Sequence, residues 1–185
     1  MNKTQKASNR IRFLAVAGLV AGLYTALTVA LAPFSFGIVQ CRVAEALTVL
    51  AIYSPAAATG LTVGCALSNL IGLSMGANMA GALDVLLGTL ATGLAAWLSY
   101  RLGRVRWGGL PVLATLPPVV TNALIVGTEL TLVVGPATWQ TWLLWAGSVA
   151  VGQMIACVVG GLILAKTLEQ SRLLPYLEQT RYTDR

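Results

Sequence analysis

The chain alternates between long hydrophobic blocks and short polar stretches. Six apolar segments can be drawn along it, and most are close to the roughly 20 residues that a helix needs to cross a bilayer. They cover residues 13–32, 38–54, 56–72, 79–99, 111–134 and 140–165. The pattern predicts an all-α integral membrane protein: a six-helix transmembrane bundle over residues 13–166, with a basic N-terminal segment at 1–12 and a C-terminal tail at 167–185.

Composition and charge support this interpretation. Of all residues, 57% are hydrophobic and 10% are charged, and the mean hydropathy is +0.78. The basic residues cluster at 3–12, 101–106 and 166–185, and because positive residues favour the cytoplasmic side, six spans place all three clusters and both termini in the cytoplasm. Since the clusters are separate, the net charge of +6 indicates orientation in a lipid bilayer and no nucleic-acid partner.

Five polar side chains interrupt the predicted spans: Arg42, Glu45, Asn69, Asp84 and Glu129. A carboxylate near the bilayer centre costs roughly 2.5–3.5 kcal/mol on insertion scales, so three retained acids predict a polar, substrate-binding cavity. At about 1.5 Å of rise per residue, the acids and the asparagine lie within roughly 10 Å of the outer surface. Asn122 lies two turns below Glu129 on the same helix face and is the predicted pocket floor.

Simpler interpretations of these groups stay open. Arg42 and Glu45 can form an ion pair between positions i and i+3 of one helix, and the two asparagines can hydrogen-bond between helices. Asp84 and Glu129 then lack a cation, so they are protonated, bonded by neutral groups or paired with donors that arrive from outside. A ligand with several N–H donors fits the last case.

Aromatic and small residues add two further candidates. Most aromatic residues near the outer loops are typical of interface anchors, but Phe36 or Trp139 can instead stack a planar heterocycle. Small residues spaced four apart in the first span allow close helix contact, either inside the bundle or with another membrane subunit. The candidate docking face for that subunit is Ala17, Gly18, Ala21 and Gly22.

Several absences narrow the chemistry. Without histidine, the chain cannot form an H-E-x-x-H site or a serine–histidine triad, so we expect no enzyme and no catalytic residues. The three cysteines have no metal-ligand or disulfide spacing and are interpreted as packing residues. Residues 160–167 imitate a phosphate-binding loop but lack its second glycine and end an apolar helix. No cofactor is expected in this chain, and any use of ATP must come from a partner.

Four segments resemble one family. Residues 32–48 read APFSFGIVQCRVAEALT and resemble the APxSxGxxQxRxxEALT signature of the QueT queuosine-precursor transporter family. Residues 64–70, 84–92 and 122–130 resemble the family's GCxxANL, DxxxGSLAT and NALIVGxEL segments. Cys41, Ala44 and the loop at 73–78 depart from the family pattern. The resemblance covers nearly the whole chain apart from its polar ends.

The resemblance implies a substrate-binding S-component of an energy-coupling-factor (ECF) importer in the bacterial plasma membrane. Its implied partners are a transmembrane coupling subunit and two ATPase subunits, and its implied cargo is a 7-deazaguanine such as preQ1, queuine or queuosine. One of the three acids would bind the guanine-like edge and another the side-chain ammonium. The other implied contacts to the base come from Gln40, Asn69 and Asn122, while Arg42 would orient Glu45 or reach the carbonyl.

Two other functions stay open. A solitary proton-coupled transporter would use the buried acids to carry the coupling ion. A purely structural membrane subunit would bind no ligand at all.

Overall fold

The computed structural model describes residues 3–37, 41–178 and 180, and this part of the chain folds into helices without strands. The α-helices are α1 (Lys3–Ala30), α2 (Ala32–Ser35), α3 (Pro55–Ser74), α4 (Ala82–Leu102), α5 (Leu116–Val134), α6 (Trp139–Gln153), α7 (Gly161–Glu169) and α8 (Leu174–Glu178). Two 3-10 helices cover Val43–Ile52 and Val112–Thr115, and a π-helical segment, Met154–Gly160, joins α6 to α7.

Five helices in the described ranges are long and apolar enough to cross a membrane. They are Ala7–Ala30, Pro55–Ser74, Ala82–Leu102, Val112–Val134 and Trp139–Glu169. These correspond to the first, third, fourth, fifth and sixth predicted segments. The structure therefore supports a multi-pass, all-helical membrane protein.

The second predicted segment, 38–54, does not form a long helix. Its described part contains a ten-residue 3-10 helix, Val43–Ile52, which at a rise of about 2.0 Å per residue is about 20 Å long. A hydrocarbon core is about 30 Å thick, and apolar stretches of this length are more typical of buried core helices. The count of six spans is thus not confirmed, and the cytoplasmic location of both termini, which depends on that count, stays a prediction.

This short helix lies at the centre of the bundle. Eight of its ten residues are buried, and the six apolar ones among them pack in the main hydrophobic cluster with Tyr24 of α1, Leu61 of α3, Ala96 of α4 and Ala165 of α7. Helices α1, α3, α4 and α7 therefore pack around the 3-10 helix. Its hydrophobic sequence matches a protein environment, and its one acid, Glu45, is placed inside the molecule.

Helices α1 and α3 meet through small residues. A Cβ atom built on Gly60 would lie 2.5 Å from the Ala17 carbonyl oxygen, and one on Gly64 would lie 2.9 Å from that of Ala21. The two backbones therefore touch, as small residues spaced four apart allow. Ala17 and Ala21, predicted as part of a docking face, are buried in this contact.

The other two residues of the predicted docking face lie on the outer side of α1. Gly18 and Gly22 are exposed, and an added Cβ would meet nothing within 4 Å at either position. The small residues of α1 thus divide into an internal pair and an external pair. Of the four residues of the predicted docking face, only the external pair is exposed on the surface of this chain.

Both predicted polar ends take part in the fold. The described part of the N-terminal segment continues α1 from Lys3. In the C-terminal tail, Leu174 and Leu177 pack against the main hydrophobic cluster, and Thr180 is buried and hydrogen-bonds Ser54, with 2.5 Å between the two hydroxyl oxygens. Tail residues up to 180 therefore cover the end of the bundle where α3 begins.

Candidate binding site

Glu45 is held from two sides. Its Oε1 atom accepts hydrogen bonds from the hydroxyl of Tyr24 on α1, at 2.5 Å, and from that of Thr92 on α4, at 3.0 Å. The residue is fully buried, and Oε2 has no hydrogen-bond partner among the described residues. One carboxylate oxygen thus fixes the position of the side chain, and the other remains available.

Cys65 connects several of the polar groups. Its Sγ atom lies 3.5 Å from Nη1 of Arg42, 3.5 Å from Nδ2 of Asn69 and 3.3 Å from Oγ1 of Thr92. A thiol sulfur is a weak acceptor, so each contact is modest. The sequence indicated only a packing residue here, whereas the structure places three polar groups around it.

The ion pair considered for Arg42 and Glu45 does not form. No nitrogen–oxygen contact within 4.0 Å joins these two side chains, whereas such a contact does join Arg106 and Glu169. Arg42 precedes the 3-10 helix in extended conformation, so the helical spacing required for that ion pair is absent. Its guanidinium instead lies over the buried ring of Phe36, 5.3 Å from the ring centre.

Asn69 joins α3 to α4. Its Nδ2 atom donates to the backbone oxygen of Asp84 at 2.8 Å, and its own backbone oxygen accepts from Nδ2 of Asn78 at 2.9 Å. The close approach depends on Gly88, because a Cβ there would lie 2.8 Å from Nδ2 of Asn69. The interhelical hydrogen bond considered from the sequence is therefore present. It uses only the NH₂ group, and Oδ1 has no partner in the described part of the chain.

Asp84 lies in the first turn of α4, where the helix dipole favours a negative charge. It is 2% exposed, and Oδ2 accepts from the backbone N–H of Ala80 at 3.4 Å. Gly81 precedes the helix with a φ of 62°, a conformation that glycine adopts readily. The turn before α4 thus presents a backbone donor to this carboxylate.

Glu129 on α5 is buried without support. It is 1% exposed, and neither carboxylate oxygen has a hydrogen-bond partner among the residues that the structure describes. It interacts electrostatically with Asp84 and with Arg42, and Arg42 also interacts with Asp84. The fold therefore brings two acids from different helices and one arginine into the same region. Buried polar groups are usually hydrogen-bonded, so an unpaired carboxyl requires an explanation.

The remaining candidates are placed less favourably. Asn122 is buried, but its NH₂ group donates to the backbone oxygen of Pro118 in its own helix, at 2.9 Å. Trp139 is 68% exposed at the start of α6, and the stacking role considered for it stays a prediction. Gln40 lies outside the described residues. Trp145 is partly buried against the cluster that contains Ala80.

Comparison with known proteins identifies the family. A model described as "QueT transporter" matches residues 14–170, which is most of the chain. The chain belongs to the QueT transporter family. No curated protein and no solved structure gave a significant match. The match to the QueT family confirms the resemblance of the four sequence segments, and it identifies a membrane transport protein linked to the uptake of queuosine precursors.

The QueT match covers all candidate site residues and also several that the sequence did not indicate. Tyr24, Thr92 and Asn78 each donate a hydrogen bond to a candidate residue. Thr92 is the last residue of the segment 84–92 that resembles the family pattern, and Tyr24 carries a hydroxyl within the first apolar segment. Both residues place a polar side chain inside a predicted span, and the same feature of the sequence predicts the three acids as site residues.

Proposed function

We propose that this QueT-family protein is the substrate-binding S-component of an ECF-type importer, and that it captures a queuosine-related 7-deazaguanine (preQ1, queuine or queuosine) outside the cell. Transport is then driven by a transmembrane coupling subunit and two partner ATPase subunits, which hydrolyse ATP. The protein itself needs no cofactor. The outer loops close over the ligand before the bundle reorients in the bacterial plasma membrane.

The observation that carries this proposal is an excess of unpaired acceptors. Within the described residues, the buried side-chain atoms without a hydrogen-bond partner include Oε2 of Glu45, Oδ1 of Asn69, Oδ1 of Asn78 and both carboxylate oxygens of Glu129. An ionised carboxylate and an amide oxygen accept hydrogen bonds and cannot donate them. The complementary ligand is therefore rich in N–H donors, as a guanine-like edge with an added ammonium group is.

The structure supports different roles for the three acids. Glu45 already uses one oxygen to hold Tyr24 and Thr92, so it serves mainly as a fixed part of the site. Glu129 has both oxygens available and can accept from two adjacent N–H groups, in the geometry by which carboxylates read base donors. Asp84 is then the partner for the ligand's ammonium group.

The other candidate residues have smaller parts in this proposal. Arg42 is a donor and suits the carbonyl oxygen of the base, and Phe36 beneath it provides an aromatic surface. Asn69 offers its free Oδ1 atom. Gln40 and Asn122 remain proposed contacts to the base.

Docking to the coupling subunit would use the outer side of α1. Gly18 and Gly22 are exposed there beside Leu19, which is 74% exposed, and Leu23. Close contact between helices is favoured by small residues. We expect Gly22→Trp to abolish uptake but preserve binding by the isolated protein. Ala21→Trp is the matched comparison, and we expect it to impair folding, because Ala21 lies in the contact with α3.

The decisive experiment measures binding of queuine, queuosine and preQ1 to the purified protein by calorimetry, with guanine and riboflavin as controls. We expect selective binding of at least one deazaguanine and weaker binding of it in Glu129→Gln. Folded protein that binds none of the three compounds would overturn the proposed cargo.

A solitary proton-coupled secondary transporter is the second candidate, and the unpaired carboxyl of Glu129 favours it, since buried acids carry protons in such proteins. Uptake by the chain in proteoliposomes distinguishes the two candidates. If uptake needs the coupling and ATPase subunits and survives a protonophore, the importer is supported. If the chain alone transports and a protonophore stops it, the second candidate is correct.

A further inference from the structure

A groove separate from the candidate binding site runs between α3 and α4 on the outside of the bundle. Its volume is about 390 Å³, within the usual range for ligand pockets. It is lined by the first two turns of α3 and the last turns of α4, with Thr59, Thr62, Gly93, Trp97 and Arg101 among its walls. It therefore lies at the end of the bundle where the basic cluster 101–106 is predicted to face the cytoplasm.

The groove has one charged wall. The guanidinium of Arg101 lies 4.9 Å from the ring centre of Trp97, and both side chains are exposed. Stacking on the ring holds the cation in place beside the groove. Tryptophan and arginine near the end of a membrane helix are typical of the headgroup level. An occupant here is thus expected to carry negative charge.

The opposite wall offers acceptors. The hydroxyls of Thr59 and Thr62 donate to backbone oxygens one turn earlier on α3, at 3.2 and 3.0 Å. Their hydrogens are therefore used, while their oxygen lone pairs can accept from a ligand. Gly93 leaves the space between the walls open, because a Cβ there would lie 3.3 Å from both Cγ2 and Oγ1 of Thr62.

We propose that this groove binds the headgroup of an anionic phospholipid that also carries hydroxyl groups, such as phosphatidylglycerol. Its phosphate pairs with Arg101, its hydroxyls donate to the two threonines, and its acyl chains lie along the apolar surface of α3 and α4. Basic pockets between membrane helices on the cytoplasmic side are suited to anionic headgroups. This site is independent of the transported cargo.

The test uses tryptophan quenching in nanodiscs of phosphatidylcholine that contain increasing fractions of brominated lipid. Because the chain has five tryptophans, all of them contribute to the measured quenching. The contribution of the groove is the part of the quenching that is lost in Trp97→Phe. We expect brominated phosphatidylglycerol to produce this part at a mole fraction several times lower than brominated phosphatidylcholine. Equal quenching by the two lipids would overturn the proposal.

Variants separate a specific groove from general attraction to positive charge. Arg101→Gln should abolish the preference, while Arg104→Gln, the same change at an exposed arginine outside the groove lining, should retain it. The same loss in both variants would show non-specific attraction and refute the site. Thr62→Val, which keeps the side-chain shape and removes the acceptor, should weaken the preference. Thermal stability in neutral detergent confirms that each variant is folded.

Discussion

Replacing Glu129 with glutamine tests the central assignment of the site. The change preserves size and removes the negative charge and one of two acceptor oxygens. Because no hydrogen bond of Glu129 exists within the described structure, none is lost in the free protein. We therefore expect the free energy of unfolding to fall by no more than about 1 kcal/mol, the net value of one typical hydrogen bond.

Ligand binding should respond much more strongly. A carboxylate that accepts two adjacent N–H groups contributes about 1–3 kcal/mol to base recognition. At about 1.4 kcal/mol per tenfold change, its loss raises the Kd roughly 5- to 150-fold. Calorimetric titration with the deazaguanine that binds best measures this change. The matched control is Glu178→Gln, the same substitution on α8, a helix that contributes no buried residue, and we expect its Kd to be unchanged.

Glu45→Gln provides the contrasting result. Two hydroxyls donate to this carboxylate, and hydrogen bonds to charged groups are stronger than neutral ones by about 1 kcal/mol each. For two hydrogen bonds, the free energy of unfolding should therefore fall by about 2 kcal/mol in Glu45→Gln. An unchanged Kd in Glu129→Gln, or a loss of stability there as large as in Glu45→Gln, would refute the separation between a structural acid and a ligand-binding acid.

Further substitutions test individual contacts elsewhere in the fold. Gly88→Ala should displace the side chain of Asn69, because the new Cβ would lie 2.8 Å from Nδ2. We expect the free energy of unfolding to fall by about 1–3 kcal/mol and ligand binding to become weaker. An unaltered thermal midpoint and an unaltered Kd would contradict this prediction. Gly60→Ala should destabilise the contact of α1 with α3, whereas Gly18→Ala, which meets open space, should be neutral or slightly stabilising in the same thermal assay. Arg106→Ala removes the partly exposed salt bridge to Glu169, so the free energy of unfolding should fall by less than about 1 kcal/mol.

The long helices could be predicted from the sequence with small errors. The third segment was predicted at 56–72 and the helix is Pro55–Ser74; the fourth was predicted at 79–99 and the helix is Ala82–Leu102. Hydropathy works here because a lipid-exposed helix needs apolar side chains over a fixed length. The burial of Asp84 and Glu129 followed from the same argument, since charged groups avoid lipid.

The partners of the acids could not be predicted. Tyr24 reaches Glu45 across 21 positions and Thr92 across 47, and such pairs depend on how each helix is rotated about its axis. The position of a residue along a span gives its depth in the membrane, but it does not give the rotation of the helix about its axis. Depth placed the acids at one end of the bundle, while the distinction between a supported Glu45 and an unsupported Glu129 required the packed structure.

The second segment shows a more basic limit of hydropathy. An apolar residue is equally stable against lipid and against other apolar side chains, so the sequence does not reveal which of the two environments surrounds it. Only the length of an apolar segment distinguishes the lipid environment from the protein environment, and the segment 38–54 is long enough to predict a span. In the structure, eight of the ten residues of Val43–Ile52 are buried against other parts of the protein. That burial places Glu45 within reach of both α1 and α4, which a helix at the lipid-facing edge of the bundle would not do.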